Sequence, residues 1–341
     1  MKIHAILVAI ALLAVGCRRP IKQQHIEGAW AIGFYNVENL FDTQDDPHTF
    51  DEDFTPKGKM QWNNERYQTK LSNLATVISQ MASGSAPVFL GVCEVENKSV
   101  LEDLVNEEKL KKENYGIVHI ESPDERGIDV GFLYQKDKFT VTHSDHFQPN
   151  LSEFQDKTRD ILYIKGKTSN DETLHFLINH WPSRGGGRKE SEPKRIIAAQ
   201  TLKAQVAKIL AADSQAKIIV MGDFNDEPSN KSISQTLGVS CEANSTAANQ
   251  LFNAFCGIEK QDKGSYRYRD YWDMLDQIMV SKTMLNDTAG ARVVPQSANI
   301  FAEEWMIQTG KYSGFPLRTF GGRNYLGGYS DHFPVYLQIQ F

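Results

Sequence analysis

The sequence predicts an α/β fold in which two mixed β-sheets pack face to face with helices on their outer sides. Three observations carry this. From Trp30 onward, short apolar runs alternate with helix-spaced segments, and such runs are what strands buried on both faces look like. Five strand candidates then follow one another over 116–180 with no helix among them. Neighbours joined so closely pair antiparallel, which excludes a simple doubly wound parallel sheet. Finally, no stretch rich in Pro, Gly or Ser divides the chain, so one domain is expected over 28–341.

Taken in order, strands are expected at 31–36, 88–94, 116–120, 128–134, 139–147, 160–167, 174–180, 218–222, 274–281, 291–295 and 333–340. Tyr67, Leu71, Leu74, Ile78 and Met81 recur at helical spacing, as do Ile196, Ala199, Leu202, Val206 and Ile209. A third helix should carry Val100, Leu101, Leu104 and Val105. Segments 42–53 and 241–268 are too long and polar for buried connections and read as surface loops near a site.

The chain has 341 residues, 40% hydrophobic and 23% charged, with a formal charge of −6. That is ample for a large core. The acidic balance argues against gripping nucleic acid by bulk electrostatics, though a local basic strip remains compatible with it. Residues 1–17 read as an export signal: Lys2 precedes an apolar run that ends in Ala14-Val15-Gly16-Cys17, too short for the roughly 20 residues of a bilayer span. Cys17 resembles a bacterial lipobox cysteine, although Ala14 stands where leucine is usual. The expectation is an exported chain, lipid-anchored in a cell envelope or otherwise secreted, with 18–27 as tether. The lipid is then its only membrane contact, and no protein partner is implied. Cys93 lies inside an apolar run and reads as core, whereas Cys241 and Cys256 flank a polar segment of an exported chain and are expected to form a disulfide.

Polar residues recur at the ends of the apolar runs. They are Asn36 and Glu38 in Phe34-Tyr-Asn-Val-Glu-Asn-Leu-Phe41, Glu94 in Gly91-Val-Cys-Glu-Val-Glu-Asn97, and Asn179-His180 in Phe176-Leu-Ile-Asn-His-Trp-Pro182. Gly222-Asp223-Phe224-Asn225 follows the run 217–221, and Ser330-Asp331-His332 precedes the last strand. Phosphate-ester hydrolysis needs such an inventory: oxygen ligands for a hard cation, a base for water, and donors for the charged phosphoryl group. An Asp or Asn after a strand is also a turn residue, so no single motif decides.

In this order, over nearly the whole chain after the leader, the set resembles the endonuclease/exonuclease/phosphatase superfamily. Gly-Asp-Phe-Asn, the later Leu275-Asp276-Gln277-Ile278 and Ser-Asp-His are its most specific parts. The resemblance implies a four-layer α/β sandwich, two packed mixed sheets flanked by helices, and a metal-dependent phosphoric ester hydrolase. It implies Glu94 as principal metal ligand, with Glu38, Asn36 and Asp331 completing or supporting the shell. Asp223 would orient or deprotonate water, Asn225 would hold a phosphate oxygen, and His332 would contact the phosphoryl group, oriented by Asp276. His180 would be a second phosphate contact or an acid for the leaving oxygen. Oxygen ligands favour Mg²⁺ or Mn²⁺.

Arg126 and Arg184 adjoin strands of the motif set and are the cationic substrate candidates, with Asn179; Arg188 reads as a solvated arginine. Tyr266-Arg-Tyr-Arg-Asp-Tyr-Trp272 interleaves rings and cations, as single-stranded nucleic acid platforms do, but an edge strand packing its aromatics reads the same way. The expected substrate is a phosphate ester, nucleic acid foremost. A lipid or sugar phosphate is the alternative, and a non-catalytic surface-binding lipoprotein on the same fold is the rival from another class. No Gly-x-Ser-x-Gly elbow is present to support a serine hydrolase.

Overall fold

The computed structural model describes residues 26–285 and 290–341. The leader, Cys17 and the tether as far as residue 25 lie outside the described residues. In chain order the strands are β1 (Trp30–Leu40), β2 (Phe89–Val95), β3 (Tyr115–His119), β4 (Asp129–Gln135), β5 (Phe139–Phe147), β6 (Ile161–Thr168), β7 (Thr173–His180) and β8 (Lys217–Asp223). They continue with β9 (Leu251–Asn253), β10 (Tyr266–Tyr268), β11 (Tyr271–Asp273), β12 (Asp276–Ser281), β13 (Arg292–Val293), β14 (Asn299–Ile300), β15 (Phe320–Gly321), β16 (Asn324–Tyr325) and β17 (Val335–Gln340). The helices are α1 (Asn64–Gln80), α2 (Lys98–Val105), α3 (Arg188–Ala212) and the single turn α4 (Cys256–Glu259).

Two mixed sheets result. One has the order β13-β17-β1-β2-β4-β3, with β14 also on β17; the other is β5-β6-β7-β8-β12-β9. β1 and β2 run parallel, as do β7 and β8, and each of those pairs is bridged in the chain by a helix, α1 and α3 respectively. The remaining neighbours are antiparallel. Between the sheets lie Phe34, Phe89, Phe132, Phe176, Met221 and Ile278, all fully buried. Each such side chain contributes about 1.5–3 kcal/mol by leaving water. Gly91 lets the sheets close: a Cβ there would stand 2.8 Å from Met221 Sδ and 3.0 Å from the Phe34 ring.

Leu71, Leu74 and Ile78 of α1 and Leu101 and Leu104 of α2 cover the outer face of the first sheet, and Ala198, Ala199 and Leu202 of α3 cover the second. The result is four layers. Asn side chains start two of these helices, Asn63 accepting from Arg66 N and Asn97 from Ser99 N and Val100 N, satisfying amides that have no partner in the first turn.

Segment 241–268 departs from the expected loop. It contains β9, which extends the second sheet along β12, and α4, with Leu251, Phe255 and Cys256 buried. Cys241 and Cys256 are joined by a disulfide across 15 residues, so the cross-link lets a polar stretch carry an edge strand. β1 also runs four residues past its expected end, to Leu40, over a bulge between Asn36 and Leu40. A matching irregularity interrupts β2 between Cys93 and Val95. Glu38, Asn39 and Glu94 take φ of 50°, 50° and 62° there. Non-glycine residues hold that conformation only when their surroundings impose it, and bulges of this sort re-aim side chains.

Candidate active site

The two bulges face the ends of β7, β8 and β12. Register sets His180 beside Asp223 across the parallel pair, and Asp276 opposite Asp223 across the antiparallel pair. Asn36 spans the sheets: its Nδ2 donates to Glu94 Oε1 at 3.2 Å and to Asp223 Oδ2 at 3.1 Å. Its Oδ1 accepts from Glu38 N at 3.0 Å. Asp223 Oδ1 accepts from Asn225 N at 2.9 Å, and Glu94 Oε2 from Asn39 N at 3.0 Å. The imidazoles close the ring, with His180 Nε2 at 3.7 Å from Asp223 Oδ2 and 3.9 Å from Glu94 Oε1, and His332 Nε2 at 3.9 Å from Asp223 Oδ2. His332 Nδ1 lies 2.6 Å from Asp276 Oδ2, which also accepts from the Ser265 hydroxyl.

These environments separate the proton affinities. Burial, then the Asp276 charge, pushes Asp223 up to about 6. It remains ionised at neutral pH yet is far more basic than an exposed aspartate, as a general base requires. For His332, burial pulls downward, but Asp276, Asp223 and Asp331 together outweigh it and hold the imidazole well above its ordinary value. It is an imidazolium at neutral pH, suited to an anionic phosphoryl group and unsuited to act as a base. Burial and the nearby Arg159, Arg126 and His332 charges push His180 well below its ordinary value, so it is neutral. Among the described residues its Nδ1 is buried without a hydrogen-bond partner, and the carboxylates of Asp223 and Glu94 stand off its Nε2 beyond hydrogen-bond distance.

The donor set suits a hard cation. Burial and then the Asp331 charge raise the Glu94 carboxyl, and burial and again Asp331 push Glu38 up to about 7. Carboxylates that disfavour one another's ionisation are relieved by a divalent ion among them. Glu94 and Asp331 would hold it, with Glu38 in support. Glu38 Oε2 already accepts from Thr319 N at 2.7 Å and lies 3.9 Å from Lys70 Nζ, and the Asn36 amide is committed as described. Acidic, imidazole or thiol groups that come within 4.8 Å of one another form the trios Cys93-His180-Asp223, Asp223-Asp276-His332 and His119-Glu121-Asp129. Glu38, Glu94 and Asp331 belong to none of these trios; the Asp331 charge is felt at both glutamates. Cys93 offers no thiolate, since burial, then Asp223, raises its thiol well above the ordinary value.

The other expected residues are placed differently. Asn225 sits at φ 49° with Nδ2 donating to Trp181 O at 3.0 Å. Asn179 is fully buried; its Nδ2 donates to the Leu177 and Met221 carbonyls and its Oδ1 accepts from Trp181 Nε1, so its side chain braces β7 against β8. Arg184 donates to Asn225 O and Asp273 Oδ1, both at 2.8 Å, which fixes the loop after β8. Arg188 pairs with Glu227 at 2.9 Å. Arg126 is half-exposed beside Asp124, with its charge felt at Glu94 and His180.

Two cations were not singled out from the sequence. Lys70 of α1 is buried, donating to Thr319 Oγ1 at 2.7 Å and Tyr329 O at 2.6 Å while its charge supports Glu38. The signal was present: Lys70 shares the apolar face of Tyr67, Leu71 and Leu74. Buried Arg159 donates to Asp124 Oδ2 at 2.8 Å and to Trp181 O at 2.6 Å, tying the Arg126 loop to the site. Only the position of Arg159 just before a strand hinted at this.

Such a fold, with its acid, imidazolium and oxygen donors arranged in this way, defines a metal-dependent phosphoesterase. The profile of the Endonuclease/Exonuclease/phosphatase family matches residues 31–341, and the chain belongs to that family. No curated protein sequence matches it. Among solved structures it is similar to the mannosyl-6-phosphatase of Bacteroides thetaiotaomicron, at 15% identity and TM-score 0.57 over 92% of this chain and 100% of that one. The human Nocturnin catalytic domain with bound sulfate gives 16% identity and TM-score 0.54 over 93% and 96%. D. rerio TDP2 complexed with single strand DNA product gives 12% identity and TM-score 0.55 over 92% and 100%. At these identities the likeness is one of fold.

Proposed function

We propose that this chain is an exported, lipid-anchored phosphodiesterase with nuclease-like action, using Mg²⁺ or Mn²⁺ and water. The observation that carries the reading is the position of Asp223, whose Oδ2 meets Asn36 at 3.1 Å, His180 at 3.7 Å and His332 at 3.9 Å. A base of raised proton affinity thus stands beside an imidazolium that attracts the phosphoryl charge. The cation would add Lewis-acid polarisation of a phosphoryl oxygen. Asp223 takes the proton of the attacking water, Asn36 holds the Asp223 carboxylate in place, and His332, fixed by Asp276, stabilises charge as it develops. Fold relatives that include TDP2 bound to a single-strand DNA product support the nucleic acid reading. The Cys241–Cys256 disulfide supports export, because such bonds persist in oxidising compartments.

A second reading, a sugar-phosphate phosphatase, is favoured by a cavity of about 230 Å³ that opens beside Glu38 and Asp331 and is walled by Phe54, Met60 and Phe320. That is room for one ring. A mannosyl-6-phosphatase is also among the fold relatives.

Treatment with EDTA should abolish hydrolysis of a chromogenic phosphodiester, and Mg²⁺ should restore it. Protonated Asp223 is no base, so the restored rate should rise as pH climbs through the value of about 6 to which burial pushes this carboxyl. Hydrolysis that survives EDTA unchanged, or a rate that falls across that range, contradicts the proposal.

A further inference from the structure

The segment 266–272, which pattern alone left between two readings, is resolved by its register. β10 and β11 form a hairpin outside both main sheets, with Tyr266 opposite Asp273, Arg267 opposite Trp272 and Tyr268 opposite Tyr271. Side chains alternate between the faces of a strand. One face is therefore spent on anchoring: Trp272 stacks on Phe333 at 5.8 Å between centroids, and the Arg267 guanidinium lies 4.5 Å over the Phe315 ring.

The opposite face begins at the catalytic imidazole and ends in water. Tyr266 bridges to His332 through the backbone, and their rings are 4.8 Å apart. Two residues farther along, about 7 Å by strand rise, Tyr268 and Tyr271 face each other at 54% and 72% exposure. Tyr312, 52% exposed, lies off this face: its ring meets Phe315 at 5.9 Å, the ring that Arg267 covers. These three are most of the large apolar side chains that stand exposed among the described residues, the others being Phe50 and Leu326.

Charge favours an anionic occupant. Segments 266–273 and 311–318 hold four cations, Arg267, Arg269, Lys311 and Arg318, against two acids, Asp270 and Asp273, the second of them paired with Arg184 at 2.8 Å, in a chain whose total is −6. The Arg269 guanidinium sits 5.2 Å over the Tyr268 ring and Lys311 Nζ 5.4 Å over Tyr312. Arg318 reaches back towards the site, 3.8 Å from Asp331, with its charge felt at the Tyr266 hydroxyl. Rings for stacking interleaved with cations for the backbone are what a flexible polyanion with planar bases requires. A flat lipid surface would make no use of a path that leads to His332.

We infer that the outer face of this hairpin is a platform for single-stranded nucleic acid, on which the strand beyond the scissile phosphate stacks over Tyr268 and Tyr271 while Arg269 meets its phosphates. The inference rests on the phosphodiesterase reading and names the substrate of that same site.

The test is fluorescence anisotropy of a labelled single-stranded oligothymidylate of twelve nucleotides, in EDTA so that it stays intact, with the parent protein and with Tyr268→Ala/Tyr271→Ala and Arg269→Ala. The ring variant should bind at least about tenfold more weakly. The Arg269 variant should weaken binding and flatten the dependence of log affinity on log salt by about 0.7. Unchanged melting temperatures establish that both variants are folded. Equal affinity of parent and ring variant, or binding only to anionic phospholipid vesicles, overturns the platform. Turnover of the chromogenic diester by the parent reports separately on the catalytic reading: a parent that hydrolyses the diester but ignores the strand refutes the platform alone, and one that binds through the hairpin but hydrolyses nothing refutes the catalytic reading alone.

Discussion

Asp223→Asn is expected to lower kcat on a generic phosphodiester by about a hundred- to ten-thousandfold, the range for removal of a positioned general base. The substitution is nearly isosteric, so folding is spared. Its carbonyl can still accept from Asn225 N, but the new amide cannot accept the Asn36 proton now taken at 3.1 Å. Losing one such bond costs about 1 kcal/mol, a small fraction of the stability of a domain. The chemical loss is much larger, because an amide cannot take a proton from water. His332→Ala should lower kcat by about a hundredfold or more, since it removes the cation that Asp276 orients. Steady-state kinetics and a thermal melt of each variant check this; near-parental kcat in Asp223→Asn rejects its role as base.

Arg195→Ala should be the most damaging single change to stability, at about 3–5 kcal/mol. Arg195 lies at the base of α3, fully buried, with Nε 2.8 Å from Asp226 Oδ2 and Nη1 2.8 Å from the Ser191 hydroxyl. Asp226 is 2% exposed and its other supports are the Ser232 hydroxyl at 2.6 Å and, farther off, Arg184 Nε at 3.9 Å. Truncating the arginine leaves a carboxylate in the interior whose nearest remaining cation is Arg184, 3.9 Å away, directly after the Asp223-Phe224-Asn225 loop. Replacing both partners by apolar residues, Arg195→Met with Asp226→Leu, should recover much of the loss, because the cost lies in the unpaired charge and not in the missing pair. Urea denaturation of the single and double variants measures both. A double variant no more stable than Arg195→Ala contradicts this account.

How much of this was legible beforehand follows from the range of the interactions. The central strands were, because a strand covered on both faces must be apolar throughout, and the run before Asp223 is such a strand. So was the set of residues at their ends, since Asp223, Asp276 and His332 sit in short motifs whose order survives in sequence. What Asn179 and Arg184 do was not legible. A buried amide and a partly buried guanidinium look like substrate contacts until their partners are known, and those partners are the Met221 carbonyl and Asp273, 42 and 89 residues away. Lys70 was hidden for the same reason, its contact with Thr319 spanning 249 residues. The hairpin over 266–272 needed register to separate the face that packs from the face that is bare.

The central claim is that the carboxylates on the two bulged strands hold one divalent cation beside Asp223. Titration of Mn²⁺ into the parent protein and into Glu94→Gln, followed by electron paramagnetic resonance of the free ion, tests it most directly. The account predicts a single saturable site in the parent and an affinity at least about tenfold weaker in Glu94→Gln. Equal Mn²⁺ affinity in the two proteins would contradict it.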